Sequence, residues 1–130
     1  MKFSILITGA PYSTQAPHTA WRFAKAALEN GHSIQRVFLH GDGVLCASQL
    51  HTSPQDEINI NELWSDLATQ YKLDIVVCIT SALKRGILSE SESDRHNKPQ
   101  FNLSASMELS GLGQLIDAIN SSDRIVTFGD

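Results

Sequence analysis

A chain of 130 residues is the size of one ordinary domain, which excludes separate cofactor and substrate domains. Hydrophobic residues at 42% and charged residues at 18% sit near globular averages, so a disordered, collagenous or coiled-coil chain is excluded as well. Ten basic against fourteen acidic side chains leave a net charge of −4 and no basic block to follow a phosphate backbone, which disfavours direct nucleic-acid binding.

Lys2 to Thr8, rich in Ile and Leu, predicts a strand that ends at the turn residues Gly9, Ala10 and Pro11. A helix is expected next, capped by Ser13 or Thr14, with Ala20, Trp21, Ala24, Ala27 and Leu28 on one apolar face and Asn30-Gly31 at its end. Ile34 to His40 reads as a second strand closed by Gly41-Asp42-Gly43, and Val44 to Leu50 as a short helix or turn. Ile60, Leu63, Trp64 and Leu67 keep helical spacing to about Tyr71.

Ile75 to Ile79 is apolar throughout, the pattern of a strand covered on both faces, and it is placed in the middle of the sheet. The run is far short of the roughly 20 residues a membrane helix needs, so no membrane association is expected. Thr80 or Ser81 offers a cap for a short helix that stops at Gly86. From Ile87 to Leu109 the chain turns polar and periodicity fades, which marks either a functional loop or part of a partner surface. Ser110-Gly111 opens a last helix with Leu112, Leu115, Ile116 and Ile119 on one face, and Arg124 to Phe128 closes the chain as a strand.

This alternation predicts a single α/β domain over residues 1–130, a mostly parallel sheet of about five strands with helices on both faces. Sites in such sheets collect beyond the carboxyl ends of strands, which singles out Gly9 to Thr14, His40 to Gly43 and Cys78 to Ser81. The first of these turns lacks the later glycines of a dinucleotide loop and the lysine of a phosphate loop, so it reads as a tight turn before a helix. His18, His32, His40, His51 and His96 form no pair at metal-binding helical spacing, and no metal is expected. No G-x-S-x-G elbow marks a serine hydrolase.

Two cysteines, Cys46 and Cys78, lie far apart in a chain without a clear export signal, so free thiols in a cytoplasmic protein are expected. No C-x-x-C supports dithiol chemistry, which leaves single-cysteine chemistry. Cys46, between Leu45 and Ala47, reads as packing. Cys78 ends an apolar strand just ahead of a helix start, with Lys84 and Arg85 one or two turns on, a setting that favours the thiolate. A small apolar residue in a buried strand is the other reading, and position alone leaves both open.

Five segments in order bear on the choice. They are F-S-I-L-I-T-G-A-P-Y-S-T-Q from Phe3, G-H-S-I-Q-R-V-F from Gly31, the G-V-x-x-A-x-Q-L pattern from Gly43, C-I-T-S-A-L-K-R-G from Cys78 and L-S-G-L-G-Q-L from Leu109. Together they resemble the DsrE-like sulfurtransferases, and within them the TusD branch, over essentially the whole chain. The resemblance implies the DsrE-like fold and Cys78 as the active cysteine, with neither metal nor organic cofactor. It further implies a cytoplasmic subunit that assembles with TusB-like and TusC-like partners into a dimer of heterotrimers. Sulfur would pass from a TusA-like donor through Cys78 to a TusE-like acceptor, for 2-thiolation of the tRNA wobble uridine. Two alternatives stand beside this expectation: a non-catalytic scaffold subunit of such an oligomer, and a small-molecule or nucleotide-binding module built on Gly9 to Thr14.

Overall fold

A computed structural model describes residues 1–130. Five parallel strands form one sheet: β1 (Lys2–Ile7), β2 (Ser33–Leu39), β3 (Ile75–Cys78), β4 (Met107–Ser110) and β5 (Arg124–Phe128), in the order β4-β3-β2-β1-β5. The helices are α1 (Ala16–Glu29), α2 (Ile60–Tyr71), α3 (Ile79–Lys84), α4 (Glu90–Arg95) and α5 (Gly113–Ser121), with a 3₁₀ segment at Gly41–Ala47. The predicted α/β domain with a mainly parallel five-stranded sheet is the observed one.

Two adjacent residues of β1 show why both faces are covered. Successive strand side chains point to opposite faces. Phe3 meets Phe23 of α1 edge to face, with ring centroids 5.2 Å apart, whereas Ser4 donates through Oγ to the carbonyl of Ala118 in α5 at 3.4 Å. On the α1 side two indoles tie neighbouring helices together: Trp21 Nε1 donates to Leu63 O at 3.0 Å, and Trp64 Nε1 donates to Pro17 O at 3.2 Å. Trp64, Phe38, Ile5, Ile7 and Leu39 are the largest fully buried side chains, and an aliphatic side chain of this kind stabilises the fold by about 1.5–3 kcal/mol when buried.

On the opposite face Arg36 of β2 anchors α5. Its Nε donates to Asp74 Oδ2 at 2.7 Å, and its Nη1 donates to Asp117 Oδ2 at 3.0 Å and to Gln114 O at 2.9 Å. Burial alone would push the guanidinium pKa down; the bonds to Asp74 and Asp117 outweigh it and raise the pKa above its ordinary value.

Several sequence expectations are corrected. β3 is second from one edge, and β2 is the central strand; β3 is nonetheless buried at all four residues, because β4 covers its outer side. The polar stretch from Ile87 to Leu109 holds α4, capped by the Ser89 hydroxyl accepting from Glu92 N at 3.2 Å, and then β4. Asn102 pins the turn between them. Its Nδ2 donates to Gly86 O, its Oδ1 accepts from Leu88 N, and Gln49 N donates to its carbonyl. The last helix begins at Gly113 because Ser110 still belongs to β4. α1 is capped at Gln15 and α3 at Cys78, not at the hydroxyl residues expected.

Candidate active site

Parallel register brings two of the three expected turns together. Leu39 of β2 lies opposite Val77 of β3, so His40 and Cys78, one residue further, leave the sheet side by side. On the other flank Cys78 is paired with Ser110, which leads into Gly111 and Leu112. These strand ends and the outer turns of α3 enclose an open cleft of about 510 Å³, lined by residues 40–41, 78–81, 84–85 and 111–112.

Cys78 is 4% exposed, and it lines this cleft. It is also the cap of α3, with extended backbone (φ −58°, ψ 116°), so the first amides of that helix lie directly beyond it. α3 is only six residues long, and its dipole is correspondingly small. The charged side chains therefore matter more. Arg85 Nε donates to Asp42 Oδ1 at 2.9 Å and its Nη1 to Ser81 O at 3.1 Å, while the Ser81 hydroxyl accepts from Gly41 N at 3.1 Å. These bonds clamp the 3₁₀ segment to α3 and commit the Arg85 charge to a carboxylate. Lys84 makes no ion pair, and it is the cation of the cleft left without a counter-charge.

Gly43 sets the position of the His40 turn. A Cβ at Gly43 would collide with the carbonyl of Ile7, so the 3₁₀ segment can lie against the end of β1 only with glycine there.

Cys46 occupies a different environment. It is fully buried, its carbonyl accepts from Asn61 Nδ2 at 2.9 Å, and burial pushes its thiol up to about 12. That sulfur stays protonated at neutral pH and has no route to the cleft.

The turn from Gly9 to Thr14 lies elsewhere, at the β1/β5 side where strand order reverses. Its last two residues, Ser13 and Thr14, line a second cleft of about 580 Å³ with the start of α1 and residues 127–130. Asp130 is the charged side chain of that lining, and the space a Gly9 side chain would take is already filled by Thr14 Oγ1 and Ala16 Cβ. The lining thus offers a phosphate a carboxylate and no lysine or arginine.

The histidines disperse as their sequence spacing suggests. His18 stacks on Trp21, His32 bonds the amino terminus through Nδ1, and His96 faces Glu92 at 3.2 Å. His51 bonds Leu45 O through Nε2 at 2.7 Å and the Tyr12 hydroxyl through Nδ1 at 2.9 Å. His40 alone joins the cysteine. The sequence marks the turn of His40 and Asp42 as a strand-end site without giving either side chain a role, and it does not point to Gly111 and Leu112; the signal for those two is the strand order, which spacing does not reveal.

The model of the DsrE/DsrF-like family matches residues 1–128. A DsrE protein of Allochromatium vinosum is 48% identical over 130 residues, covering all of both chains. A "Sulfurtransferase TusD homolog" of Pseudomonas aeruginosa is 47% identical, covering 99% of this chain and 98% of its own. Among solved structures, the YchN protein of E. coli superposes with a TM-score of 0.75 at 23% identity, covering 98% of this chain and 99% of its own, a likeness of fold. With the family model spanning nearly every residue and relatives matched from end to end, the chain belongs to the DsrE/DsrF-like family.

Proposed function

We propose that this chain is a persulfide sulfurtransferase subunit and that Cys78 carries the sulfur. The observation that supports this most is the pairing of one thiol with one cleft: Cys78 lines an open space beside an uncompensated lysine, whereas Cys46 is sealed and protonated. The names of the full-length relatives point the same way.

In the proposed reaction the Cys78 thiolate attacks the outer sulfur of a donor cysteine persulfide. A bond forms between Cys78 Sγ and that sulfur, the bond between the donor's two sulfurs breaks, and the electron pair leaves on the donor thiolate. An acceptor thiolate then attacks the outer sulfur of the Cys78 persulfide and releases Cys78 as thiolate. The sulfane sulfur keeps its oxidation state throughout, so neither oxidant nor reductant is consumed. Attack on the inner sulfur would instead yield a mixed disulfide and sulfide. Cys78 lines the cleft but is only 4% exposed, so an outer sulfur added there would be easier to reach than Sγ itself, which supports transfer to the acceptor over that side reaction.

The donor in this reading is TusA-like and the acceptor TusE-like, the end product is the 2-thiolated wobble uridine of tRNA, and the compartment is the cytoplasm. Assembly with TusB-like and TusC-like subunits as a dimer of heterotrimers fits one surface feature. Leu112, Ile116 and Ile119 form an exposed apolar stripe along α5, and Leu112 is also a wall of the cleft.

Intact-mass analysis after exposure to a persulfide donor tests the proposal. One added sulfur on Cys78, lost in Cys78→Ser and kept in Cys46→Ala, is the expected result. Equal loading of the Cys78→Ser chain ends the assignment, and a chain that takes up no sulfur is a scaffold subunit.

A further inference from the structure

We propose that His40 is the proton-exchanging residue of the Cys78 cleft, a role that rests on the sulfur-transfer reading above. Three observations carry it. His40 and Cys78 are adjacent in register at the ends of neighbouring strands and line the same cleft. The main chain of His40 is fixed, its amide donating to Ile7 O at 3.0 Å and its carbonyl accepting from Gly43 N at 3.0 Å, whereas its imidazole makes no hydrogen bond within the protein. The other four histidines are all engaged, by hydrogen bond, ion contact or stacking.

The charges around the imidazole leave it this task. α3 presents Lys84 and Arg85, the 3₁₀ segment presents Asp42 bound to Arg85, and the β4–α5 turn adds only Gly111 and Leu112. The cleft lining therefore holds no carboxylate. Imidazole is the side chain that exchanges protons most readily near neutrality, and here it is the one such group beside the thiol.

The proton balance of sulfur transfer needs such a group. The imidazole accepts the Cys78 S–H proton, so that Sγ attacks as the thiolate. When the donor's sulfur–sulfur bond breaks, the imidazolium returns that proton to the departing donor sulfur. In the second half the released Cys78 thiolate takes up the proton given by the acceptor thiol through the same ring. No proton is gained or lost over the cycle.

The test is the rate of Cys78 alkylation by iodoacetamide from about pH 5 to 9, a window that brackets the ordinary imidazole and thiol titrations. His40→Gln is compared with the parent chain, and far-ultraviolet circular dichroism confirms that both are folded. The expected result is a parent profile with an added rise on the acidic side. The variant should lack it, react roughly tenfold more slowly near pH 6.5, and meet the parent at the alkaline end. Partial recovery of sulfur uptake by added free imidazole is the second expected outcome, read also in His40→Asn should the first variant fold poorly. Superimposable profiles overturn the role of His40. Sulfur loading of Cys78 in the parent chain reports separately on the transfer reaction, so the two proposals fail independently.

Discussion

Arg85 and Asp42 form an ion pair, Nε to Oδ1 at 2.9 Å, that cancels half of the positive charge the sequence places beside Cys78. The sequence suggests two cations acting on one thiol, and the structure leaves Lys84 to act alone. Because a neutral pair has little field at the sulfur, replacing both partners should matter less than replacing Lys84. We expect Asp42→Asn with Arg85→Gln to alkylate at Cys78 within about twofold of the parent rate at neutral pH, and Lys84→Gln to fall by roughly threefold, the deficit shrinking as salt screens the exposed ammonium. Rates measured at low and high ionic strength check this. A double variant slower than Lys84→Gln would return Arg85 to the site.

Cys46 offers a contrast in the other direction. Its thiol is pushed up to about 12 from an ordinary 9.0 because the ion cannot be solvated in the core. The unfolded chain loses that proton near pH 9 while the folded chain keeps it, so the unfolded state binds fewer protons in between. Stability is therefore unaffected below pH 9 and falls as pH climbs toward 12, by up to about 1.4 kcal/mol per pH unit. Urea melts of the parent and Cys46→Ala should diverge above pH 9 and run parallel below it. Cys46→Ser should be the less stable substitution at every pH, by about 1–3 kcal/mol for a buried hydroxyl without a partner.

Much of this arrangement was legible in the sequence, and the parts that were not share a cause. The strand Ile75–Cys78 announces itself because it is buried on both sides and apolar at each position. α1 and α2 show in the spacing of Ala20, Ala24, Trp64 and Leu67, which all reach the core. β4 is invisible because Met107–Ser110 is a short edge strand, buried at Met107 and open at Glu108, and four residues with two apolar members carry no period. Misplacing β3 at the centre followed from the same omission, since without β4 the order cannot be counted. Cys78 could be picked out as a strand-end thiol, but His40 acquires meaning only when β2 lies beside β3, a fact of pairing rather than of local pattern. The cap residues of α1 and α3 went astray because Thr14 Oγ1 spends itself on Ala10 O and Ala16 N, and Ser81 Oγ on Gly41 N, each closing a loop instead.

Arg36 tests how firmly the cleft wall is held. Its guanidinium is 12% exposed and serves Asp74, Asp117 and the Gln114 carbonyl at once, so it ties the turn before β3 to α5. Arg36→Met keeps the stem packed but leaves two half-exposed carboxylates without a partner, and should cost about 2 kcal/mol. Arg36→Lys keeps the charge but cannot reach three acceptors from one plane, and an intermediate loss is expected. Denaturant melts give both values. Since Leu112 on the cleft wall is the cap residue of α5, Cys78 alkylation should quicken in Arg36→Met as that wall loosens, and an unchanged rate would show that the wall is held by β4 alone.

The glycines at 43 and 113 predict opposite signs for the same chemical change. At Gly43 a methyl group meets the Ile7 carbonyl, a backbone atom in the sheet that cannot move aside, so the 3₁₀ segment must lift. Gly43→Ala should cost about 2–3 kcal/mol and carry His40 away from Cys78, lowering both melting temperature and sulfur uptake. At Gly113, the first residue of α5, nothing lies within 4 Å of an added Cβ and the backbone is helical. Alanine there restricts the unfolded chain and suits the helix, and Gly113→Ala should stabilise by about 0.5 kcal/mol with uptake unchanged. Thermal melts of the two variants side by side decide the matter: if Gly43→Ala is as stable as the parent, the 3₁₀ segment is not packed against β1, and the placing of His40 beside the cysteine loses its support.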